Sequence, residues 1–293
     1  MKNQLLKDKV IVVTGGSGGI GSAIVNKLSD CGANVISVYC KNLLSDHSDE
    51  NVFWFRADLT QADDWDRLLS FTLKKFEKID VLINCAGILE PGDFSSVEES
   101  QLKKMIDINF TSMLIGIQKT LTIMKKQGFG HIINIGSLGG IVPMPYSSVY
   151  SATKFALRGF SFSLAEELKG GGINISLLTP GSVITKMLDY EAHSNNSAMS
   201  FVSKPISPIK VADAVLKVIR KPRVELIIPR SQSFGSRLLV FSPKIFSIAY
   251  KLLHRLGLSG KRKYLIRSVS NSVLSIMEKS IHDILSTKFQ VDG

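Results

Sequence analysis

Cysteine is scarce in this sequence, acid is missing from a long stretch near the C-terminal end, and uncharged apolar runs are short. The three cysteines, Cys31, Cys40 and Cys85, are odd in number and scattered, which excludes both a disulfide framework and a CxxC metal site. The five histidines, His47, His131, His193, His254 and His282, are isolated as well, so no metal site is expected. No uncharged apolar stretch approaches the roughly 18–20 residues that span a bilayer. The richest, residues 238–258, is interrupted by Lys244, Lys251 and Arg255. At the N-terminus Lys7, Asp8 and Lys9 precede any apolar run of signal-peptide length, and a cytoplasmic location is the expectation. There is no internal repeat and no low-complexity tract. Apolar content of 44% with 21% charged residues excludes a disordered or collagen-like chain.

The formal charge is +11, and its placement matters more than its size. Residues 1–225 hold 25 Lys+Arg and 22 Asp+Glu, a net of +3, whereas residues 226–293 hold 11 and 3, a net of +8. No acid stands between Glu225 and Glu278. The composition shift marks a boundary: a main domain over 1–232, then a basic helical extension over 233–293.

Short apolar, β-branched runs recur between segments of helical length. Residues 9–14 (KVIVVT), 33–39 (ANVISVY), 52–55 (VFWF), 81–83, 131–135 (HIINI), 173–178 (INISLL) and 224–228 (VELII) read as strands. Continuous apolar strands alternating with helices predict a parallel sheet covered on both faces. Right-handed crossovers then give an α/β, doubly wound domain. The polar stretch 193–207 (HSNNSAMSFVSKPIS) is expected to be a mobile loop at the ligand-binding edge of that sheet.

After the first strand comes Thr14-Gly15-Gly16-Ser17-Gly18-Gly19-Ile20-Gly21, followed by a helical run, SAIVNKLSD. Glycines allow a tight turn and close approach to a pyrophosphate, whose charge the helix N-terminus favours. The strand–loop–helix context is the one such a motif requires. The TGxxxGxG spacing differs from a simple GxGxxG, and here the sequence resembles the short-chain dehydrogenase/reductase family over roughly residues 5–230. The resemblance implies a Rossmann fold and an NAD(P)-dependent oxidoreductase. Gly15, Gly19 and Gly21 stand at the family's glycine positions, with Ser17 and Ile20 beside them in the cofactor loop. Asp58 in ADL looks like the acid that contacts the adenine ring. Asn84-Cys85-Ala86-Gly87 resembles NNAG, with cysteine replacing the second asparagine. Asn84 is expected to keep a strand-stabilising and ribose-side role, and Ala86 and Gly87 to bind cofactor. Ser137 and Tyr150-Ser151-Ala152-Thr153-Lys154 match the catalytic serine and YxxxK. Pro180, Gly181 and Thr185 match the PGxxxT that holds the nicotinamide amide. By the same resemblance Asn109, in DINFTSM, keeps a water that links Lys154 to solvent.

Tyr150 and Lys154 are i and i+4, one turn apart on a helix face. A phenol has an unperturbed pKa near 10, and a neighbouring ammonium is expected to lower it toward the working pH. Ser137 can hydrogen-bond the substrate oxygen and hold it against Tyr150. Lys154 also holds the nicotinamide ribose. The implied reaction is hydride transfer between nicotinamide and a carbonyl carbon, with Tyr150 as proton donor in reduction and acceptor in oxidation.

An acid ending the second strand would repel a 2′-phosphate. This sequence instead has Tyr39-Cys40-Lys41-Asn42, with no acid before Asp46, and Lys41 is placed to meet a phosphate. Gly18 stands where many NADP-preferring relatives carry a basic residue. NADP(H) is the expected cofactor, with NAD the alternative.

In the extension, residues 242–258 read SPKIFSIAYKLLHRLGL. Ile245, Ile248, Ala249, Leu252 and Leu256 fall on one helical face, with Lys244, Ser247, Lys251 and Arg255 opposite. Gly257 and Gly260 are read as terminators, and Lys261-Arg262-Lys263 as a further basic cluster. The alternatives are a helix packed on the domain, a peripheral membrane-surface helix over 242–263, and nucleic-acid binding. No reader motif or aromatic series accompanies the charge, so no nucleic acid is expected. The membrane alternative suits a lipophilic substrate of sterol, retinoid, sphingoid or fatty acyl type, with Met144, Met187 and Phe201 near its pocket. A rival to the enzyme is a non-catalytic cofactor-binding scaffold or redox sensor. The resemblance also implies a homodimer or homotetramer, associating through helices around 100–126 and 150–169.

Overall fold

The computed structural model describes residues 4–41, 49–194, 196–239 and 242–288, with side chains described as far as residue 270 and that of Phe234 excepted. Asn42, Asp46 and His47 lie outside the described residues, as does the side chain of His282.

Seven strands form one parallel sheet: β1 (Val10–Thr14), β2 (Asn34–Tyr39), β3 (Val52–Arg56), β4 (Val81–Asn84), β5 (Gly130–Ile135), β6 (Ile173–Pro180) and β7 (Glu225–Ile228). Their order is β3-β2-β1-β4-β5-β6-β7, and all seven expected strands are present. Every residue of β1, β4 and β5 is buried, as in strands covered on both faces. Helices α1 (Gly19–Asp30), α2 (Ala62–Phe76), α3 (Glu99–Ile106), α4 (Ser112–Gln127), α5 (Ser148–Glu167), α6 (Lys186–His193) and α7 (Pro208–Arg220) accompany the sheet. One core joins α1 and α7 to the sheet through Ile24, Leu28, Val215 and Val218. A second joins α2, α4 and α5 through Trp65, Leu68, Ile117 and Leu164. The order reverses between β1 and β4, and the crevice at that switch point is where open α/β sheets bind ligands.

Two helices follow β7: α8 (Gln232–Leu239) and α9 (Pro243–Lys288). Gly257 and Gly260 do not terminate α9, which runs through both. A Cβ on Gly257 would lie 2.1 Å from the Ala198 carbonyl oxygen, and one on Gly260 2.1 Å from that of Phe201. The glycines therefore let the helix backbone sit against the turn at Ala198–Phe201. The stretch 193–207, expected to be a loop, contains that 3₁₀ turn with Ala198 and Phe201 buried. Tyr264 stacks on Phe201 with ring centroids 5.3 Å apart and donates to Asp189 Oδ1 at 2.6 Å. Lys261 Nζ donates to the Ser194 carbonyl.

The apolar stripe expected to define the helix is not the one that packs. Ile245, Ile248, Leu252 and Leu256 are exposed, Ile248 by 79%. Phe246, Leu253, Gly257 and Tyr264 face the protein instead, about a third of a turn away around the helix.

Candidate active site

The glycine loop has the shape its sequence implies. Gly15 adopts φ +66°, and a Cβ on it would lie 2.8 Å from Ala86 Cα; one on Gly21 would lie 2.1 Å from the Gly15 carbonyl. No side chain caps α1, so its first-turn N–H groups face the crevice as a ready anion site. Ser17 and Ile20 flank this turn, and Ile20 also lines the neighbouring cavity. A Cβ on Gly19 would lie 2.7 Å from Thr185 Cγ2, which closes the loop against the start of α6. Thr14 Oγ1 receives the Cys85 and Ala86 N–H groups at 3.0 and 3.1 Å, fixing the end of β4 beside the loop. The cradle fits a dinucleotide.

The remaining expected contacts divide by exposure. Asp58 is exposed, with Oδ1 accepting from the Thr60 N–H and hydroxyl. Lys41 is exposed beyond the end of β2. Asn84 is 0% exposed and donates to Asn134 Oδ1 at 2.9 Å. The bond ties the ends of β4 and β5 together beside the crevice. Gly87 borders Lys154, with Nζ 3.8 Å from where a Cβ would stand. Pro180 and Gly181 end β6, and Gly181 N–H donates to the Ile228 carbonyl at 2.8 Å.

Ser137 follows β5 and caps the short turn at Leu138–Gly140, accepting from Gly139 N–H at 3.0 Å. Ser151 on α5 donates to the Gly139 carbonyl at 2.6 Å and accepts from Met144 N–H at 3.3 Å. These bonds pin the start of α5 to the Ser137 turn and bring Tyr150 within hydrogen-bonding reach of Ser137. Lys154, 5% exposed, donates from Nζ to the Ile135 carbonyl at 3.0 Å and lies 5.7 Å from the Tyr150 ring centre. Asn109 sits in a π-helical turn (Asp107–Thr111) between α3 and α4, a distortion that often marks functional positions. Its side chain accepts from Ile88 N–H and donates to the Ile88 carbonyl, both at 2.8 Å, and reaches Thr153 Oγ1 at 3.4 Å.

The electrostatics correct one expectation. In the protein alone, burial pushes the Tyr150 phenol up to about 12, with Ser137 pulling down and the charge of Glu191 pushing further up. Burial also brings Lys154 down to about 8. A water-poor site penalises both charged forms, and the expected lowering of Tyr150 is not a property of the protein by itself. Burial drives the Cys85 thiol up to about 12, the opposite of what a redox-sensing cysteine needs.

A cavity of about 310 Å³ opens beside these residues, lined by Ser137, Tyr150, Met187, Met199 and, from the last two helices, Leu239 and Leu253. Three residues that motif reading passes over stand beside the cradle or the cavity. Arg56, ending β3, donates from Nε to the Cys40 carbonyl at 3.3 Å, which sets a second cation beside Lys41. Gln232 on α8 lines the cavity, with Oε1 buried and unpartnered among the described residues. Glu191 on α6 lines it too, 6% exposed. None of the three carries a local sequence signal; the β2–β3 register, which sets Tyr39 opposite Arg56, places Arg56 only once the sheet is formed.

A doubly wound parallel sheet with a glycine cradle at its switch point and a Ser–Tyr–Lys cluster beside it defines a dinucleotide-dependent oxidoreductase. The short chain dehydrogenase family pattern matches residues 9–196. The chain is 33% identical over 242 residues to an uncharacterized oxidoreductase of Staphylococcus saprophyticus, covering 78% of this chain and 98% of that one. An uncharacterized oxidoreductase of Staphylococcus epidermidis is 33% identical over 221 residues, covering 74% and 93%. Among solved structures, levodione reductase superposes with a TM-score of 0.70 at 25% identity, covering 78% of this chain and 98% of that chain. ElxO with NADP bound superposes with a TM-score of 0.67 at 27% identity, covering 75% and 96%. The chain belongs to the short-chain dehydrogenase/reductase family. About a quarter of it has no counterpart in those relatives.

Proposed function

We propose that this protein is an NADP(H)-dependent oxidoreductase that interconverts a keto group and a hydroxyl on a lipophilic small molecule. The carrying observation is the cavity, lined largely by apolar side chains, with Ser137, Tyr150, Thr185, Glu191, Gln232 and several serines as its polar groups. Gly15, Ser17, Gly19, Ile20 and Gly21 cradle the pyrophosphate. Asp58, Ala86 and Gly87 flank the nucleoside, and Pro180, Gly181 and Thr185 hold the carboxamide. Lys41 and Arg56 favour a 2′-phosphate, and the ElxO structure contains NADP.

The bound cofactor supplies or receives the hydride. Ser137 holds the substrate oxygen by a hydrogen bond. Tyr150 gives its phenolic proton to that oxygen in reduction and takes it back in oxidation. Lys154, positively charged at neutral pH in its majority form, stabilises the phenolate left behind and anchors the ribose. Asn109 fixes the Ile88 backbone beside Lys154 and orders the route by which solvent restores the proton.

The finer reading extends to location. Among the described residues no helix is long and apolar enough to cross a membrane. The exposed stripe Ile245, Ile248, Leu252 and Leu256, with Lys244, Lys251, Arg255 and Arg262 beside it, suits peripheral contact with an anionic membrane surface from the cytoplasm. Exposed Ile106 and Phe155 suit association into a homodimer or homotetramer through the α3–α5 side.

In an assay of lipophilic ketones with NADPH and NADH, turnover is expected with NADPH foremost. Tyr150→Phe is expected to cut kcat by at least roughly 10²–10⁴, the range for one general acid, while leaving the NADPH Kd unchanged. Undiminished turnover in that variant would overturn the mechanism.

A further inference from the structure

Helix α6 turns a single carboxylate toward the substrate cavity. Glu191 is the one acidic side chain among the residues lining it. Its Oε1 accepts from Ser200 Oγ at 2.6 Å, and its main-chain carbonyl accepts from Ser197 Oγ. Oε2 makes no hydrogen bond among the described residues. The charge of Lys261 of α9 favours the Glu191 carboxylate, but its Nζ donates to the Ser194 carbonyl and makes no ion pair with Glu191 among the described residues.

A residue serving only to tie the segment after α6 in place would need one acceptor. Glutamine or serine would supply it without burying a charge, which is costly when unpaired. The second oxygen and the charge are left over by that account. Glu191 lines a cavity whose other walls include Met187, Leu188, Met199 and Leu253.

We propose that Glu191 orients the substrate, with Oε2 receiving a hydrogen bond from a hydroxyl or amine carried at a distance from the reacting carbon. The reacting oxygen then lies between Ser137 and Tyr150, and the apolar walls hold the hydrocarbon between the two polar ends. The substrate class is a bifunctional lipophile: a hydroxyketone, an aminoketone or the corresponding alcohol. Ser137, Tyr150 and Glu191 line the same cavity, so one small molecule can touch all three. Burial pushes the Glu191 carboxyl up to about 7, so the ionised form that accepts from a donor is populated at and above neutral pH. This inference rests on the proposed oxidoreductase reading and names its substrate.

The test uses the full chain loaded with NADPH and three probes: a plain decalone, and decalones bearing a hydroxyl or a primary amine on the ring remote from the ketone. Binding is read from NADPH fluorescence and turnover from kcat/KM. Wild type is expected to favour a donor-bearing decalone by roughly ten- to hundredfold, the effect of one hydrogen bond to a charged group. Glu191→Leu is expected to erase that preference and spare the plain decalone, with the unbranched Glu191→Met as the second variant should the branched side chain disturb folding. Glu191→Gln distinguishes the donors, since it keeps an acceptor for a hydroxyl and loses the charge that an ammonium needs. Equal binding of all three probes by wild type overturns the proposal, as does a uniform loss across the probes in Glu191→Leu. Donor-selective binding without turnover would instead refute the oxidoreductase reading and leave the role of Glu191 standing.

Discussion

Charge holds the sheet region together but is turned outward along the last helix. Asp80, at the foot of β4, receives Lys9 Nζ at 2.7 Å, Val10 N–H at 2.9 Å and Lys78 Nζ at 3.1 Å. Glu225 on β7 is gripped by Arg158 of α5 and Arg237 of α8, both at 2.8 Å. From Arg230 onward, Arg237 is the only cation in an ion pair among the described residues. Helix α9 is held instead by apolar and aromatic contacts and two glycines, with most of its cations in solvent. A net charge of +11 thus combines an internally neutralised fold with an appendage whose charge is available to something else. That appendage also builds the enzyme, because it supplies Leu253 to the cavity and braces the segment after α6.

The strongest way to break this contrast is to remove a charge from the sheet. Burial works to raise the Asp80 pKa, but hydrogen bonds from Lys9, Val10 and Lys78 more than reverse it and hold the carboxyl below its usual range. Its stabilisation is therefore complete above the unfolded-state value near 4 and is lost as pH falls through the folded value. Asp80→Asn is expected to cost about 2–3 kcal/mol at pH 7 in urea unfolding, the upper scale for hydrogen bonds to one buried charged group whose lysine partners are half exposed. The deficit should shrink below about pH 4, where wild type loses the same contribution. A deficit that stays constant with pH would show that Asp80 acts by packing alone.

A steric change on α9 probes the other region. Gly257→Val places a side chain against the Ala198 carbonyl and is expected to cost about 1–3 kcal/mol by overpacking. Because the contact braces the cavity wall and lies away from the glycine cradle, ketone KM should rise while the NADPH Kd holds. Equal weakening of both ligands would mean that α9 supports the whole fold and not the substrate side. The smallest stability effect is expected on the exposed stripe. Ile248→Ser with Leu252→Ser should leave unfolding within about 0.5 kcal/mol of wild type, yet reduce sedimentation with vesicles containing anionic phospholipid. Unchanged sedimentation would remove membrane contact from the proposed function.

Most of the fold was legible because its signals are local. Apolar runs such as VIVVT and HIINI, and glycines between a strand and a helix, each need only a few neighbouring residues. The i, i+4 pair of Tyr150 and Lys154 was readable for the same reason. The protonation behaviour of Tyr150 was not, since it depends on how much water the assembled cavity admits. Nor did the sequence show Asn84 to be wholly buried, because that depends on the strands and helices around it.

Helix α9 carries apolar side chains on two faces, and periodicity has no means of choosing between Ile248 with Leu252 and Phe246 with Leu253. The choice came from Gly257 and Gly260, which fit against the backbone of residues 198–201 roughly sixty positions earlier. Sequence by itself determined the strand order's raw material, the cradle, the Ser–Tyr–Lys set and the uneven charge, all of them fixed by spacing along the chain. Only the tertiary structure decided which face of the last helix packs, that Arg56 joins Lys41, and that Glu191 lines the cavity. Those facts arise from close packing between distant segments, where shape and burial, not spacing, determine the outcome.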